Sequence, residues 1–135
     1  MDSFQKFLHK DRFAKHLGVE MIDHGPGTAR ARMVIRDYHL NSAGTVHGGA
    51  IFSLADAVFS AASNSHGTLA MAINVSISFF KAVSQGVLTA AAEEISRNPK
   101  LATYLITVND ESENRIALFQ GTVYRKKDSL ADIVK

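Results

Sequence analysis

One segment of the chain, residues 48–66, constrains the fold more than any other. Its apolar side chains spread around the whole circumference of a helix instead of forming one stripe. A helix that is apolar on every side is typical of a buried position. The segment also contains many Ala and Ser residues, which permit close packing against a sheet. The apolar positions are Ile51, Phe52, Leu54, Ala55, Val58, Phe59 and Ala62.

The rest of the chain predicts a short N-terminal helix and a curved antiparallel sheet of five to six strands. Short polar separators between the apolar runs are typical of hairpin turns. The predicted order is a helix over 3–16 ended by Gly18, strands over 19–24 and 28–36, a loop over 37–47, the buried helix, strands over 69–80, 87–96, 101–110 and 115–125, and a loose tail over 128–135. This order predicts an α+β fold in which one sheet wraps a long central helix.

Length and composition favour one domain, residues 1–135, with its own core. Of the 135 residues, 46% are hydrophobic, and the absence of Cys excludes disulfides and a thiol nucleophile. The charged start lacks the apolar run of a signal peptide, and no stretch has the apolar length of a membrane span. We therefore expect a soluble, cytoplasmic protein. A net charge of +2 gives no indication of nucleic-acid binding.

The central helix also predicts self-association. A single sheet covers only one side of a helix, and the other side of this one is apolar as well. A second copy of the chain is the simplest cover for that side. We therefore expect at least a homodimer.

Asp56 is the residue in this helix that most suggests chemistry. Its helical neighbours are Phe52, Ser53, Phe59 and Ser60, so an ionised carboxylate there is costly unless it has a partner. One interpretation is structural, with the carboxylate accepting hydrogen bonds from the two hydroxyls. The other is functional, because buried acids with shifted pKa values concentrate in active sites.

The residues before the helix favour the functional interpretation. His47, Gly48 and Gly49 open it, and glycines let a ligand approach the backbone closely. The first amide groups of a helix have no partner within it and lie at the positive end of its dipole. Such groups stabilise negative charge on a carbonyl oxygen. Asn41, six residues before His47, could donate to a carbonyl or hold a water molecule.

The spacing of these groups predicts where the site is assembled. Asp56 follows Gly48 by about 12 Å along a helix that rises ~1.5 Å per residue. A general base has to come within about 3 Å of its target, directly or through one water. Two antiparallel copies of the helix would place the start of one beside the middle of the other. We therefore predict a composite site at a dimer interface.

Other site types have weaker support in the sequence. There is no GxSxG, Walker A, GxGxxG or HExxH motif, and the six His have no metal-ligand spacing. Small basic clusters at residues 97–100 and 125–127 are either solvated surface or contacts for a phosphorylated ligand.

The run from Asn41 through His47-Gly48-Gly49 to Asp56 resembles the signature of PaaI-type hotdog thioesterases. The resemblance extends over about residues 17–126 and implies a hotdog fold, a homodimer, usually a homotetramer built from two dimers, and hydrolysis of an acyl-coenzyme A thioester. It implies no metal or organic cofactor beyond the coenzyme A of the substrate.

The resemblance also implies roles for individual residues. Asp56 would be general base or nucleophile, Gly48 would donate its N–H to the thioester carbonyl, Asn41 would hold the carbonyl or the water, and His47 would support the helix start. The implied substrate is phenylacetyl-coenzyme A or a hydroxylated form, although aliphatic acyl groups remain open. The substrate-binding candidates are Gly49, Phe59, Asn74, Arg97, Lys100, Arg125 and Lys126, with Phe52, Phe79 and Phe80 as further pocket candidates.

One position departs from the family pattern. Some relatives have a Ser or Thr on the strand after the helix, where this chain has Ala72, with Asn74 and Ser76 nearby. The group that positions water is therefore open. Alternative functions are a hotdog hydratase or dehydratase, a non-catalytic acyl-coenzyme A-binding module, and a purely structural dimer.

Overall fold

The computed structural model describes residues 1–135 as six strands and four helices. Two short helices come first, α1 (Ser3–His9) and α2 (Arg12–Leu17), followed by β1 (Val19–Gly25) and β2 (Thr28–Val34). A loop containing one 3-10 turn (Asp37–His39) leads into the long helix α3 (Gly48–Asn64). The remaining elements are β3 (Thr68–Phe79), β4 (Val87–Arg97), β5 (Leu101–Asn109), β6 (Arg115–Ser129) and α4 (Leu130–Ile133).

The strands form one antiparallel sheet in the order β1-β2-β4-β5-β6-β3. Alternation within the strands decides which face is buried. In β2, for example, Ala29, Ala31 and Met33 are buried, whereas Arg30 and Arg32 between them are exposed. The predicted antiparallel sheet of five to six strands is confirmed, and it has six.

Helix α3 lies against the buried face of this sheet and forms the core with it. Leu54 and Val58 are fully buried and belong to the same apolar cluster as Leu88, Ile106 and Phe119 of the sheet. Burial of large apolar side chains contributes roughly 1.5–3 kcal/mol each, so this contact stabilises the fold strongly. The predicted long central helix is confirmed, with its end at Asn64 instead of His66.

One face of α3 is not covered by the sheet. Side chains spaced by three and four residues lie along it and are only partly buried, which is why the segment reads as apolar all round without being buried all round. The residues on this open face are Gly48, Gly49, Phe52, Ser53, Asp56, Ala57 and Ser60.

The N-terminal segment and the tail differ from the prediction. Residues 3–16 form two helices instead of one, because the Asp11 side chain accepts a hydrogen bond from the Ala14 N–H and starts α2. Gly18 ends α2 in a left-handed conformation, as glycine readily does. The prediction of a loose tail over 128–135 is wrong, because β6 extends to Ser129 and α4 follows with Leu130 only 1% exposed.

Strand β3 ends the sheet with an unpaired edge. It pairs with β6 on one side and with no strand on the other. Several apolar side chains along it are exposed, including Met71 at 54% and Ile73 at 60%. A long apolar edge of this kind is a template for pairing with another chain.

Candidate active site

The start of α3 presents a free backbone donor. His47 is the N-cap, and its Nδ1 accepts a hydrogen bond of 2.8 Å from the Gly49 N–H. The N–H groups of Ala50 and Ile51 both donate to the His47 carbonyl oxygen. The Gly48 N–H donates to no group of the chain. It therefore remains available at the positive end of the helix dipole.

Both positions of this turn favour glycine, because a Cβ atom at either one would crowd a neighbouring ring. A Cβ on Gly48 would lie 3.2 Å from Cζ of Phe79, whose ring packs over the helix start. A Cβ on Gly49 would lie 3.0 Å from Nδ1 of His47 and would press on the ring that caps the helix. Glycine at these positions therefore keeps the capping hydrogen bond and the Phe79 contact together.

Asn41 makes several hydrogen bonds within its own loop. Its Oδ1 accepts from the N–H groups of Ala43 and Thr45, at 2.9 and 3.2 Å. Its Nδ2 donates to Oγ1 of Thr45 at 3.0 Å, and the Asn41 N–H donates to the Thr45 carbonyl oxygen at 2.7 Å. Asn41 therefore shapes the loop before α3, with one Nδ2 hydrogen left for a ligand.

A buried histidine holds this loop to the N-terminal helices, which the sequence did not predict. His39 is 1% exposed, and its Nδ1 accepts from the Arg36 N–H at 2.9 Å. Its Nε2 is 2.8 Å from the Leu17 carbonyl oxygen, so Nε2 carries the proton and the ring is neutral. The His39 carbonyl oxygen then accepts from the His47 N–H at 2.7 Å. No spacing signal in the sequence pointed to this connection.

Asp56 lies on the open face of α3 and has no partner in its own chain. No side chain donates a hydrogen bond to its carboxylate, and no cation pairs with it. Burial raises the pKa of the Asp56 carboxyl above its ordinary value of 3.8, and the negative charge of Asp11 adds to the rise. The Ser53 hydroxyl donates to the Gly49 carbonyl oxygen at 2.7 Å instead. This contradicts the structural interpretation in which Ser53 satisfies the acid.

Asp56 and Gly48 do not meet within one chain. Both belong to α3, which is continuous from Gly48 to Asn64, so ~1.5 Å per residue separates them by about 12 Å along the axis. Each chain therefore presents two separate chemical groups on one open face, a carboxylate and a backbone donor.

The predicted substrate contacts lie in different environments. Phe59 was predicted to bind substrate, but it is 1% exposed and packs on Phe119 with ring centroids 5.4 Å apart. It is a core residue, because its side of α3 faces the sheet. Phe52 on the open face contacts the same Phe119 at 5.3 Å and remains partly exposed. Asn74 is exposed on β3, and its side chain makes no hydrogen bond.

The four basic candidates lie close to the β4–β5 turn and to the part of β6 that pairs beside it. Lys100 and Lys126 are exposed and make no ion pair. Arg125 donates from Nη1 to the Asn98 carbonyl oxygen at 2.9 Å, while its Nε is buried without a partner. Arg97 contacts His66 and lies 3.9 Å from Glu94, so it already has partners in the fold.

Glu94 is the centre of a polar network that the sequence analysis missed. The Tyr104 hydroxyl donates to its Oε1 at 2.6 Å, and Nε2 of His66 lies 2.8 Å from the same oxygen. Burial alone would raise the pKa of Glu94, but the hydrogen bonds from Tyr104 and His66 outweigh it and lower the pKa below 4.5. Alternation from Leu88 through Ala92 could have shown that Glu94 points inward.

Known proteins are similar to this chain in sequence and in fold. A family model described as the thioesterase superfamily matches residues 43–117. A provisionally named esterase of Archaeoglobus fulgidus is 43% identical over 127 residues, which is 93% of this chain and 82% of that protein. Acyl-coenzyme A thioesterase PaaI of Escherichia coli is 34% identical over 116 residues, 85% of this chain and 83% of its own.

Solved structures agree with these relatives. The E. coli PaaI structure superimposes with a TM-score of 0.90 at 30% identity, covering 94% of this chain and 95% of that chain. The TT0310 protein of Thermus thermophilus gives a TM-score of 0.83 at 36% identity, with coverage of 87% and 99%. A central helix against a six-stranded antiparallel sheet, with these structural neighbours, defines a hotdog fold.

The family follows from the sequence match. The chain belongs to the thioesterase superfamily and is a thioester hydrolase of that class. The predicted resemblance to PaaI-type thioesterases is confirmed. None of the helices combines the length and apolar character that crossing a membrane requires.

Proposed function

We propose that the chain hydrolyses acyl-coenzyme A thioesters to a free acid and coenzyme A. The observation that carries this proposal is the unpartnered Asp56 carboxylate on the open face of α3. The free Gly48 N–H on the same face supplies the second group that thioester hydrolysis needs. The relationship to E. coli PaaI, which is named as an acyl-coenzyme A thioesterase, supports the same substrate class.

In the proposed reaction the thioester carbonyl oxygen accepts a hydrogen bond from the Gly48 N–H. The helix dipole then stabilises the charge that develops on this oxygen. Asp56 takes a proton from a water molecule that attacks the carbonyl carbon, or attacks that carbon itself to form a mixed anhydride that water then hydrolyses to the free acid. The carbon–sulfur bond breaks, and coenzyme A leaves as a thiol once a proton reaches its sulfur. His47 maintains the helix start, and no cofactor is needed beyond the coenzyme A of the substrate.

The site requires two copies of the chain in this proposal. The middle of the stretch from Gly48 to Asp56 is Phe52, on the open face of α3. Two antiparallel helices crossing near Phe52 would bring Gly48 of one copy opposite Asp56 of the other, which removes the separation of about 12 Å. The unpaired edge of β3 is the matching contact for a sheet continuous between two copies. We propose a homodimer of this kind, paired again into a homotetramer.

Two finer assignments belong to the same proposal. Lys100, Lys126 and Arg125 would contact the phosphates of coenzyme A, whereas the engagement of Arg97 by Glu94 and His66 makes it a weaker candidate. The acyl group would be phenylacetyl or a hydroxylated phenylacetyl, as the resemblance to PaaI suggests.

Complementation between two inactive variants tests the proposal. Asp56→Asn removes the base and Gly48→Pro removes the free N–H, so each homodimer should hydrolyse phenylacetyl-coenzyme A very slowly. A mixed dimer contains one intact pair, Gly48 from one copy and Asp56 from the other. Random mixing of equal amounts should therefore restore about a quarter of the wild-type rate, because half of the dimers carry one intact site of two.

The readout is release of the coenzyme A thiol, with each variant alone as the control. No recovery in dimers shown to be mixed would contradict the composite site. Wild-type protein that binds acyl-coenzyme A without releasing thiol would contradict hydrolysis altogether and would favour a binding module. With an enoyl-coenzyme A as substrate, addition of water to the double bond with the thioester intact would favour a hydratase.

A further inference from the structure

A cavity of about 660 Å³ lies between the N-terminal helices, β1 and the second half of α3. This volume is within the range of roughly 300–1,000 Å³ that small-molecule sites have. Apolar atoms form most of its wall, and polar side chains such as Lys10 and Lys15, which make no ion pair, also line it. The apolar walls include Phe7 and Leu8 of α1, Ala14 of α2, Ile22 of β1 and Ala57 of α3.

The cavity is continuous with the open face that carries Asp56. Ala57 and Ser60 form its wall on α3, and both belong to the open face of that helix. Ser60 lies one helical turn beyond Asp56, about 6 Å along the axis. Asp11 on the opposite wall is close enough for its charge to raise the pKa of Asp56. A group that leaves the neighbourhood of Asp56 towards the end of α3 therefore enters this cavity.

Small side chains keep the cavity open. Ala57 and Ser60 are short residues on a helix whose other partly exposed positions include Phe52. Ala14 is the short residue on the α2 wall. A larger side chain at position 57 would occupy space that now adjoins Asp56, and apolar walls favour an apolar occupant over water.

We propose that this cavity receives the acyl group of the thioester, and that Ala57 limits the size of the acyl group that can be hydrolysed. The inference rests on the function proposed above and assigns acyl selection to the α1–α2 segment. The occupant is an apolar acyl group, aryl or aliphatic, that is too large to be held beside Asp56 alone. Phe7, on the α1 wall, would limit the far end.

The test compares Ala57→Phe with Ala57→Ser on acetyl-, octanoyl- and phenylacetyl-coenzyme A. Phenylalanine fills the cavity, whereas serine is the matched control that keeps it open. For Ala57→Phe we expect the ratio of kcat/KM for the larger substrates to that for acetyl-coenzyme A to fall by about tenfold or more. For Ala57→Ser the ratio should stay within about twofold, because a small group in a pocket changes discrimination little.

A second variant probes the opposite wall. Phe7→Ala widens the cavity without touching α3, so it should raise the same ratio for substrates larger than phenylacetyl, such as naphthylacetyl-coenzyme A. It also keeps the proposal testable if the larger side chain at position 57 prevents folding, which circular dichroism would reveal. Unchanged ratios in Phe7→Ala and Ala57→Phe, or an equal loss on all substrates, would overturn the proposal.

Binding without turnover separates this proposal from the one on which it rests. The probe is octyl-coenzyme A, a thioether that cannot be hydrolysed, measured by calorimetry beside free coenzyme A. The affinity for the thioether should fall at least tenfold in Ala57→Phe, while that for free coenzyme A changes little. Equal affinities in wild type and Ala57→Phe would overturn the cavity assignment whether or not the protein hydrolyses thioesters. Dissociation of the dimer by Ala57→Phe would also overturn it, because the cavity would then hold a partner segment.

Discussion

Replacing Gly48 by proline removes one hydrogen-bond donor and little else. Gly48 is the first residue of α3, the position where proline is well tolerated because its N–H has no partner in the helix. The preceding residue, His47, has φ −59° and ψ 135°, which is the extended conformation that a residue before proline favours. Since the Gly48 N–H makes no hydrogen bond in the chain, none is lost on substitution.

The structure gives different magnitudes for stability and activity. A new Cβ would approach Phe79 to 3.2 Å, but this ring is 50% exposed and can move, so the free energy of unfolding should change by no more than about 1 kcal/mol. Loss of the proposed carbonyl donor should lower kcat by about 10²–10³, equivalent to roughly 2.7–4 kcal/mol. Gly48→Ala is the matched control, since it makes the same contact with Phe79 and keeps the N–H.

The assay is thiol release from an acyl-coenzyme A that the wild type hydrolyses, with the melting temperature measured in parallel. We expect Gly48→Ala to retain at least about a third of kcat, because its donor is intact. Equal losses in Gly48→Pro and Gly48→Ala would show that the Phe79 contact matters and the N–H does not. A Gly48→Pro variant with near wild-type kcat would refute the role of this donor.

Three further substitutions test the structure at other points. Asp56→Asn should lower kcat by about 10²–10⁴. It should also raise the melting temperature at pH 7 but not near pH 3.5. The reason is that a carboxyl whose pKa is raised by folding stabilises the fold below its ordinary pKa of 3.8 and loses that contribution as pH rises. A higher melting temperature at both pH values, or at neither, would contradict this linkage. Tyr104→Phe should destabilise the fold by about 1–2 kcal/mol at pH 7, and by less as pH falls below 4.5. The pH dependence is expected because the lowered pKa of Glu94 contributes stability that protonation removes, and denaturant unfolding at several pH values measures this dependence. Leu130→Ala should destabilise by about 2 kcal/mol or more in the same assay, whereas Ile133→Ala, at a position 38% exposed, should change little; equal effects would mean that α4 is not packed as described.

The central helix and the strands could be predicted because their patterns are long and unambiguous. Residues 48–64 carry apolar residues at helical positions over the whole segment, and each strand is bounded by polar turn residues. The ends were harder. Leu130 and Val134 are buried with 1% and 8% exposure, but two apolar residues in a polar tail show no period. Their burial depends on contacts of α4 with α1, which is distant in sequence, as well as with the adjacent strand β6.

Some parts of the candidate site could likewise be predicted from the sequence, and others could not. The Asn41-to-Asp56 spacing singled out the loop and the helix, and the structure places Asp56 and the Gly48 N–H on one open face. Phe59 was assigned wrongly, because a helix apolar on every side does not reveal which side meets the sheet. The hydrogen bonds of Asn41 within its own loop, most of them with Thr45, depend on the path of that loop and could not be predicted from the sequence.

The open face of α3 gives a reason why one chain would contribute Gly48 to one proposed site and Asp56 to another, instead of forming a whole site alone. A carboxylate left without a partner in an apolar setting destabilises the monomer, and a helix start with a free N–H adds nothing to its stability. In the proposed dimer both features become useful, because the second copy brings the complementary group. Dimerisation would also cover Phe52 and pair the edge of β3, so the contacts that complete the chemistry are those that remove exposed apolar surface. Assembly and activity in this chain should therefore be lost together.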